Sequence, residues 1–308
     1  MLKIVTTPIK TKIQKIMERQ PTPDKDKVPK PSDIMNKVAS DPDFNAVRHE
    51  LLAGQRFSEL SDEERGRINS EAVSTIAMKQ VAELTHPSGY RDRETNVMAL
   101  LADMDDFATG QAYLDKSRES GGRSSGGDFA HSLESVIKFN HDLRAMIDHD
   151  GATLTPDSLS TYLTQLYHMK HSGKSDTRYF KQKVEQAVTG MQHEVFFEQL
   201  VGEIGFDYDT ASDMTEEKAL DMERRGVDII VYLPDETKLE IDVKSSQNGV
   251  DRAYDKRPWV PGDRFVVASP IQPGDSSNFR LKKEVAEMRA QELEPTLLAC
   301  ARASRQVA

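Results

Sequence analysis

From Ser32 onward apolar positions recur at three- and four-residue spacing, a helical period that holds until about His171. The stretch IMNKVASDPDFNAVRHELL reads as helix capped by Ser32 and broken near Asp41 and Pro42. Ser61 with Glu64 three residues on makes a capping box ahead of DEERGRINSEAVSTIAMKQVAEL. Met98, Leu100, Leu101 and Met104 mark a third helix, SLESVIKFNHDLRAMI a fourth, and a short helix follows Pro156. GGRSSGG, Gly121 to Gly127, has almost no side chain able to pack and predicts a flexible loop inside this region.

After Asp176 the pattern changes. A long helix, roughly Arg178 to Glu203, carries Val184, Val188, Met191 and Val195 on one stripe, and Gly205 ends it. VDIIVYL and KLEIDVKSS then show the apolar, β-branched composition of strands. Four residues led by Pro234 and Asp235 join them, which predicts a β-hairpin. RFVVAS reads as a further strand, and LKKEVAEMRAQELEPTLLACARA as a closing helix interrupted at Pro295. The fold class expected is α+β overall. A basic arm over residues 1–31 and a helical domain over 32–175 precede a mixed α/β domain over 176–308.

Composition narrows this only a little. The 308 residues suffice for two domains at roughly 150 residues each. With 37% hydrophobic and 6% aromatic residues, the core is lean. The single cysteine, Cys300, excludes an internal disulfide framework and any cysteine-built zinc or iron–sulfur site, and fits a reducing cytoplasm. No run approaches the ~18 apolar residues of a membrane span, and the N-terminus lacks the apolar segment of a signal peptide. A net charge of −10 argues against a polycation that coats nucleic acid. The arm is locally basic, with eight lysines and arginines against three acids, and Pro21, Pro23, Pro29 and Pro31 make its second half a poor helix. It is either a disordered tail or a segment that touches phosphates.

Several chemical signals fail on context. Gly173-Lys174-Ser175 ends like a phosphate-binding loop, but His168 stands where its first glycine belongs and no strand precedes it. Asp148, Asp150 and Gly151 hint at a calcium loop whose obligatory glycine is Thr153 and whose final glutamate is Leu159. His131, His141, His149, His168 and His171 are scattered and read as surface or core-edge histidines. Asp103, Asp105 and Asp106 read as a solvated helix end, and Cys300 as a small apolar residue.

The informative stretch runs from Gly226 to Ser246. Asp228 stands second in an apolar strand, where a carboxylate is costly to bury unless paired or bound to metal. On the next strand the period of two puts Glu240, Asp242 and Lys244 on one face and Ile241 and Val243 on the other. In a suitable register Asp228 shares the charged face. Carboxylates converging with an ammonium suit a hard divalent cation; a solvated sheet face with an Asp–Lys pair is the plainer reading.

Asp228, followed fourteen residues on by Asp242-Val243-Lys244, resembles the PD-(D/E)xK nuclease superfamily, the restriction-endonuclease-like fold. Gly226-Val227-Asp228 is similar to the first half of that signature, with Val227 in the place of its proline. The family also carries a glutamate on the helix before the sheet. Glu194 occupies that place in GMQHEVFFEQLVGEIGF, Glu198 one turn on competes with it, and Glu185 is a weaker candidate. The likeness covers about Gln182 to Ser269 and leaves the helical domain without a counterpart. It implies a central β-sheet flanked by helices. It also implies Mg²⁺, or Mn²⁺, held by Asp228, Asp242 and the carbonyl of Val243, with Glu194 binding directly or through water. Lys244 would orient or deprotonate the attacking water. The implied function is a metal-dependent deoxyribonuclease in defence and restriction or in recombination and repair. The alternative is a DNA-binding or assembly protein without cleavage. DNA is the expected partner, the helical domain is a candidate surface for a protein partner, and a homodimer is a further candidate assembly. Ser245, Ser246 and Gln247 read as a polar strand end, and Lys256, Arg257 and Trp259 as loop residues outside the site.

Overall fold

The computed structural model describes residues 28–87, 89–119, 127–171, 177–211, 214, 216–256 and 264–305. Most of the basic arm, most of the GGRSSGG segment, the Gly173-Lys174-Ser175 segment, Arg257 and Trp259 lie outside these residues.

Short helices α1 (Pro31–Ala39) and α2 (Phe44–Leu51) open the described chain. Ser32 does not cap α1: the helix starts at Pro31 behind Lys30, the first-turn place that proline's fixed φ favours. Four longer helices follow: α3 (Asp62–Leu84), α4 (Arg93–Glu119), α5 (Gly127–Asp150) and α6 (Pro156–Lys170). Both halves of the Ser61–Glu64 capping box at the start of α3 are formed. Helix α7 (Arg178–Ile204) ends at Gly205, whose φ of +88° is the left-handed stop that glycine adopts without strain.

The rest of the chain alternates short strands and helices: β1 (Asp207–Thr210), α8 (Glu216–Arg224), β2 (Ile229–Tyr232), β3 (Lys238–Lys244), α9 (Gln247–Lys256), β4 (Phe265–Ala268) and α10 (Lys283–Arg305). The strands lie in the order β1-β2-β3-β4; the first two pairings are antiparallel and the last is parallel. β2 and β3 form the hairpin that the sequence pattern predicts.

The expected central sheet flanked by helices is overturned. The chain is mostly helical and its mixed sheet is small. Three of the four strands among the described residues pair over four residues only. The stretches between them return to helix: α8 and α9 were not foreseen, because each is short and mostly polar, with Ala219 and Met222 buried in one and Val250 in the other. Nor does Pro295 interrupt α10. Its missing N–H falls opposite the carbonyl of exposed Gln291, where water can serve, while Leu293, Leu297 and Ala301 keep one buried stripe.

Two apolar cores and a small cluster of Met222, Val227 and Ile230 lie among the described residues. The larger joins α1, α3, α4, α5, α6 and the first part of α7, with Phe107 stacked on Phe139 and Tyr167 on Phe180 at ring separations of 4.1 and 4.0 Å. The smaller lies between one face of the sheet (Ile229, Val231, Leu239, Ile241), the last part of α7 and α10. The stripe Val184, Val188, Met191 and Val195 faces the first core; Phe197, Leu200 and Val201 face the second. Phe279, from the segment before α10, is 1% exposed within the first core, and its N–H donates to the carbonyl of Gly151 at 3.0 Å.

Candidate active site

The hairpin register sets the centre of the site. Ile229 pairs with Ile241, and the N–H of Asp228 donates to the carbonyl of Ile241 at 2.8 Å. Asp228 therefore stands one step beyond that pair, opposite Asp242, with both carboxyls on the face away from the second core. Asp228 Oδ2 accepts the N–H of Val243 at 2.7 Å, which ties the two strands through a side chain. The Val243 side chain itself is buried in the second core.

Asp242 is 4% exposed and carries two cations. Lys244 Nζ donates to its Oδ1, and Arg264 Nε donates to its Oδ2 at 3.2 Å. Arg264 was not foreseen: it lies twenty-two positions after Asp242 and arrives because β4 pairs in parallel with β3, Asp242 beside Val266. Its guanidinium lies along Gly226, whose φ is +70°; a Cβ at Gly226 would stand 3.3 Å from Arg264 Nε. Glycine before the Val-Asp pair thus serves both a left-handed turn and a close arginine.

Glu194 reaches the same place from α7. Burial pushes its carboxyl up to about 7; Arg144 opposes the shift, while Glu198 and Asp242 reinforce it. Burial likewise pushes Asp228 well above the usual carboxylate range, and the charges of Glu194 and Asp242 add to it against Lys244 and the Val243 N–H. The negative charge of Asp242 thus raises both Glu194 and Asp228.

The other glutamates are placed differently. Glu198 is 7% exposed and closed by Arg144 of α5, whose Nη2 donates to Oε2 at 2.6 Å and Nη1 to Oε1 at 2.5 Å. Glu185 pairs with Lys181 on the surface at 3.7 Å. Glu240 lies on the charged sheet face but is engaged by Lys238 and Arg225. Ser245 and Ser246 lie at the β3–α9 turn, and Gln247 opens α9. A cavity of about 210 Å³ opens onto Glu194 and Asp228 between α5, α7 and the start of β2.

Among the described residues no group of three or more His, Cys, Asp or Glu side chains is drawn together tightly enough to hold a metal ion. The donor chemistry nonetheless suits a hard cation: oxygen donors only, with Glu194 and Asp228 raised in proton affinity, which a nearby dication would reverse. Each Asp242 oxygen keeps a lone pair after accepting from Lys244 or Arg264.

A second polar cluster lies in the helical core and was also missed. Asp103 and Asp105 do not form a solvated helix end: they lie within α4, and Asp103 is 4% exposed. Lys170, 1% exposed, donates to the carbonyl of Leu101 at 2.8 Å and pairs with Asp105 at 3.0 Å. His171 Nε2 contacts Asp105 Oδ1 at 2.7 Å, and Ser70 Oγ donates to Asp105 Oδ2. Serine, histidine and aspartate meet, but not as a nucleophilic triad. The same histidine nitrogen faces both Asp105 and Ser70, whereas a triad uses one nitrogen for each. This cluster fastens α3, α4 and α6 together.

Comparison of the chain with protein families, with curated proteins and with solved structures finds no match.

Proposed function

We propose that this chain is a metal-dependent nuclease that hydrolyses phosphodiester bonds of DNA, in restriction and defence or in recombination and repair. One observation carries the reading: Glu194, Asp228 and Asp242 gather around Lys244 with two of the three carboxyls held toward protonation. Such a cluster costs folding energy and is retained where the charges do chemistry. Glu194, Asp228, Asp242 and the carbonyl of Val243 would hold Mg²⁺ or Mn²⁺, which lowers the pKa of a water and offsets charge at the scissile phosphate. Lys244 would orient the attacking water and offset charge on the phosphate. Arg264 donates to Asp242 and would hold the plane of its carboxylate. The single cysteine supports a reducing, cytoplasmic setting.

A second reading, a DNA-binding or assembly protein without cleavage, is favoured by one observation: Lys244 and Arg264 already neutralise Asp242, and no three-ligand group is assembled among the described residues. The full-length protein incubated with Mg²⁺ or Mn²⁺ and plasmid, linear, single-stranded and branched DNA separates the two. Cleavage lost in Asp228→Asn supports the nuclease; DNA retained without cleavage by any of the mixtures supports the scaffold.

A further inference from the structure

Two carboxyls meet in the packed contact between α4 and α5, apart from the cluster on the sheet. Asp103 of α4 is 4% exposed and Asp142 of α5 is 3% exposed, and their side chains are within hydrogen-bond reach of each other. Ionised carboxylates are acceptors only, so a bond between two of them needs a proton on one. Asp103 Oδ2 is closed off from solvent, and no N–H or O–H among the described residues donates to it. A proton fits that place, where neither water nor a ligand does.

The neighbours decide which carboxyl carries it. Lys138 Nζ donates to Asp103 Oδ1 at 2.7 Å, and Arg91 Nη1 donates to Asp142 Oδ1 at 2.7 Å. His141 Nδ1 lies 3.9 Å from the same Asp142 oxygen. Burial pushes Asp103 up to about 6; Lys138 opposes the shift and the charge of Asp142 adds to it. Burial raises Asp142 too, but His141, Arg91 and the contact with Asp103 outweigh it and hold Asp142 below the usual carboxylate range. Asp103 is the acid of the pair and Asp142 the acceptor. Asp106 of α4 and His131 and Glu134 of α5 line a cavity with Asp103 and Lys138, and Glu134 pairs with Arg224 of α8. Lys170 of α6 is engaged by Asp105 at 3.0 Å, and α3 presents the neutral Met78, its sulfur 3.8 Å from Lys138 Nζ.

We propose that Asp103 and Asp142 share one proton, and that this proton is a pH-sensitive clasp between α4 and α5. The folded chain holds the proton where the unfolded one has released it, so the clasp is complete below about pH 3.8 and is lost as pH rises through about 6. Asp142, shifted the other way, contributes above that range and loses its part only in acid. Once the proton leaves, two like charges face each other in a closed contact, and α5 is held to α4 less tightly. The same helix carries Arg144 to Glu198, so the clasp also supports the wall that α5 gives to the cleft over Glu194.

Hydrogen exchange of the full-length protein, corrected for the intrinsic rate at each pH, reads the clasp at backbone amides 97–107 and 136–147, with those of α10 as reference. Between about pH 5 and about pH 8, protection in α4 and α5 relative to α10 should fall about tenfold in the wild type. Asp103→Asn puts an amide N–H in the place of the shared proton and keeps an oxygen for Lys138, so its protection should stay level across the same range. Asp142→Asn supplies a donor to Asp103 from the other side and should also abolish the fall, although Arg91 loses its carboxylate. Thermal melts at about pH 5 check that each variant folds. Both variants keep His131, His141 and Glu194, so a fall that survives in a folded variant belongs to those groups and overturns the proposal. Wild-type protection that stays level between the two pH values overturns it as well.

Discussion

Arg144 and Glu198 face each other as two matched forks across α5 and α7, one helical turn from Glu194. The pair separates two glutamates that the sequence leaves almost equivalent. Glu198 has its charge satisfied by a neighbour of fixed geometry, whereas Glu194 is pushed toward its neutral form.

The first prediction follows from that division. Glu198→Ala leaves the Arg144 guanidinium partly buried without its matched fork, beside Asp148 and a Glu194 held toward its neutral form, and should cost about 3–5 kcal/mol in urea unfolding. Glu194→Gln removes a carboxyl that its surroundings disfavour, and should leave stability equal or higher while lowering cleavage. A Glu198 variant as stable as wild type would contradict the assigned pairing.

The two aspartates should differ in the same way. Asp228→Asn keeps an oxygen for the Val243 N–H and relieves repulsion, so the folded state gains near neutral pH. Asp242→Asn strands Lys244 and Arg264 beside a neutral amide and should destabilise. Both should lower cleavage by two or more orders of magnitude, equivalent to about 3 kcal/mol of barrier. Thermal melts and rates measured on the same preparations check the opposite signs in stability against the common sign in activity.

Stability should fall as pH rises toward neutrality in metal-free buffer. Glu194 is raised from 4.5 to about 7, so the folded state holds its proton where the unfolded chain has lost it. That contribution is complete below about 4.5 and is lost as pH passes through about 7. Asp103, which burial pushes up to about 6 from 3.8, acts with the same sign over a lower window. Asp228, raised in the same sense, adds to the decline, and His193, which burial pushes down, opposes it. Urea midpoints between about pH 5 and about pH 8 should therefore decline, and the decline should shrink in Glu194→Gln. Mg²⁺ or Mn²⁺ should flatten the same part of the curve. A midpoint that rises across this window would refute the placement of Glu194.

Gly226→Ala tests the support beneath Asp242. The new Cβ meets Arg264 Nε at 3.3 Å on a backbone of positive φ, so the cost should be about 1–2 kcal/mol in unfolding, with a drop in cleavage beyond what that loss explains. Arg264→Lys should lower cleavage with less change in stability. Activity unaffected in both would leave Arg264 without a positioning role.

Local signals in the sequence were readable where one residue type decides the outcome. The Ser61–Glu64 box, the Gly205 stop and the stripe on α7 are fixed by neighbours within a few positions. The facing of Asp228 and Asp242 also follows, once the period of two and the Pro234–Asp235 turn set the hairpin. What was illegible depends on contacts distant in sequence. Arg264 reaches Asp242 only through a parallel pairing, Arg144 reaches Glu198 from the other core, and Phe279 crosses into the helices. The size of the sheet was misjudged because strand composition in VDIIVYL and RFVVAS says nothing of how few residues find a partner.

The sharing of α7 between two cores has a consequence for how this chain can be divided. Glu194 lies between Met191 and Val195, which belong to the first core, and Phe197, which belongs to the second. A fragment beginning near residue 176 would expose Phe180, Val184 and Val188 to water and leave Phe279 without its socket. The carboxyl cluster is thus no cassette that recombination or an engineer could lift out and graft elsewhere: both cores must be inherited together, and a partner that shifts the helices at one end of α7 moves Glu194 with them.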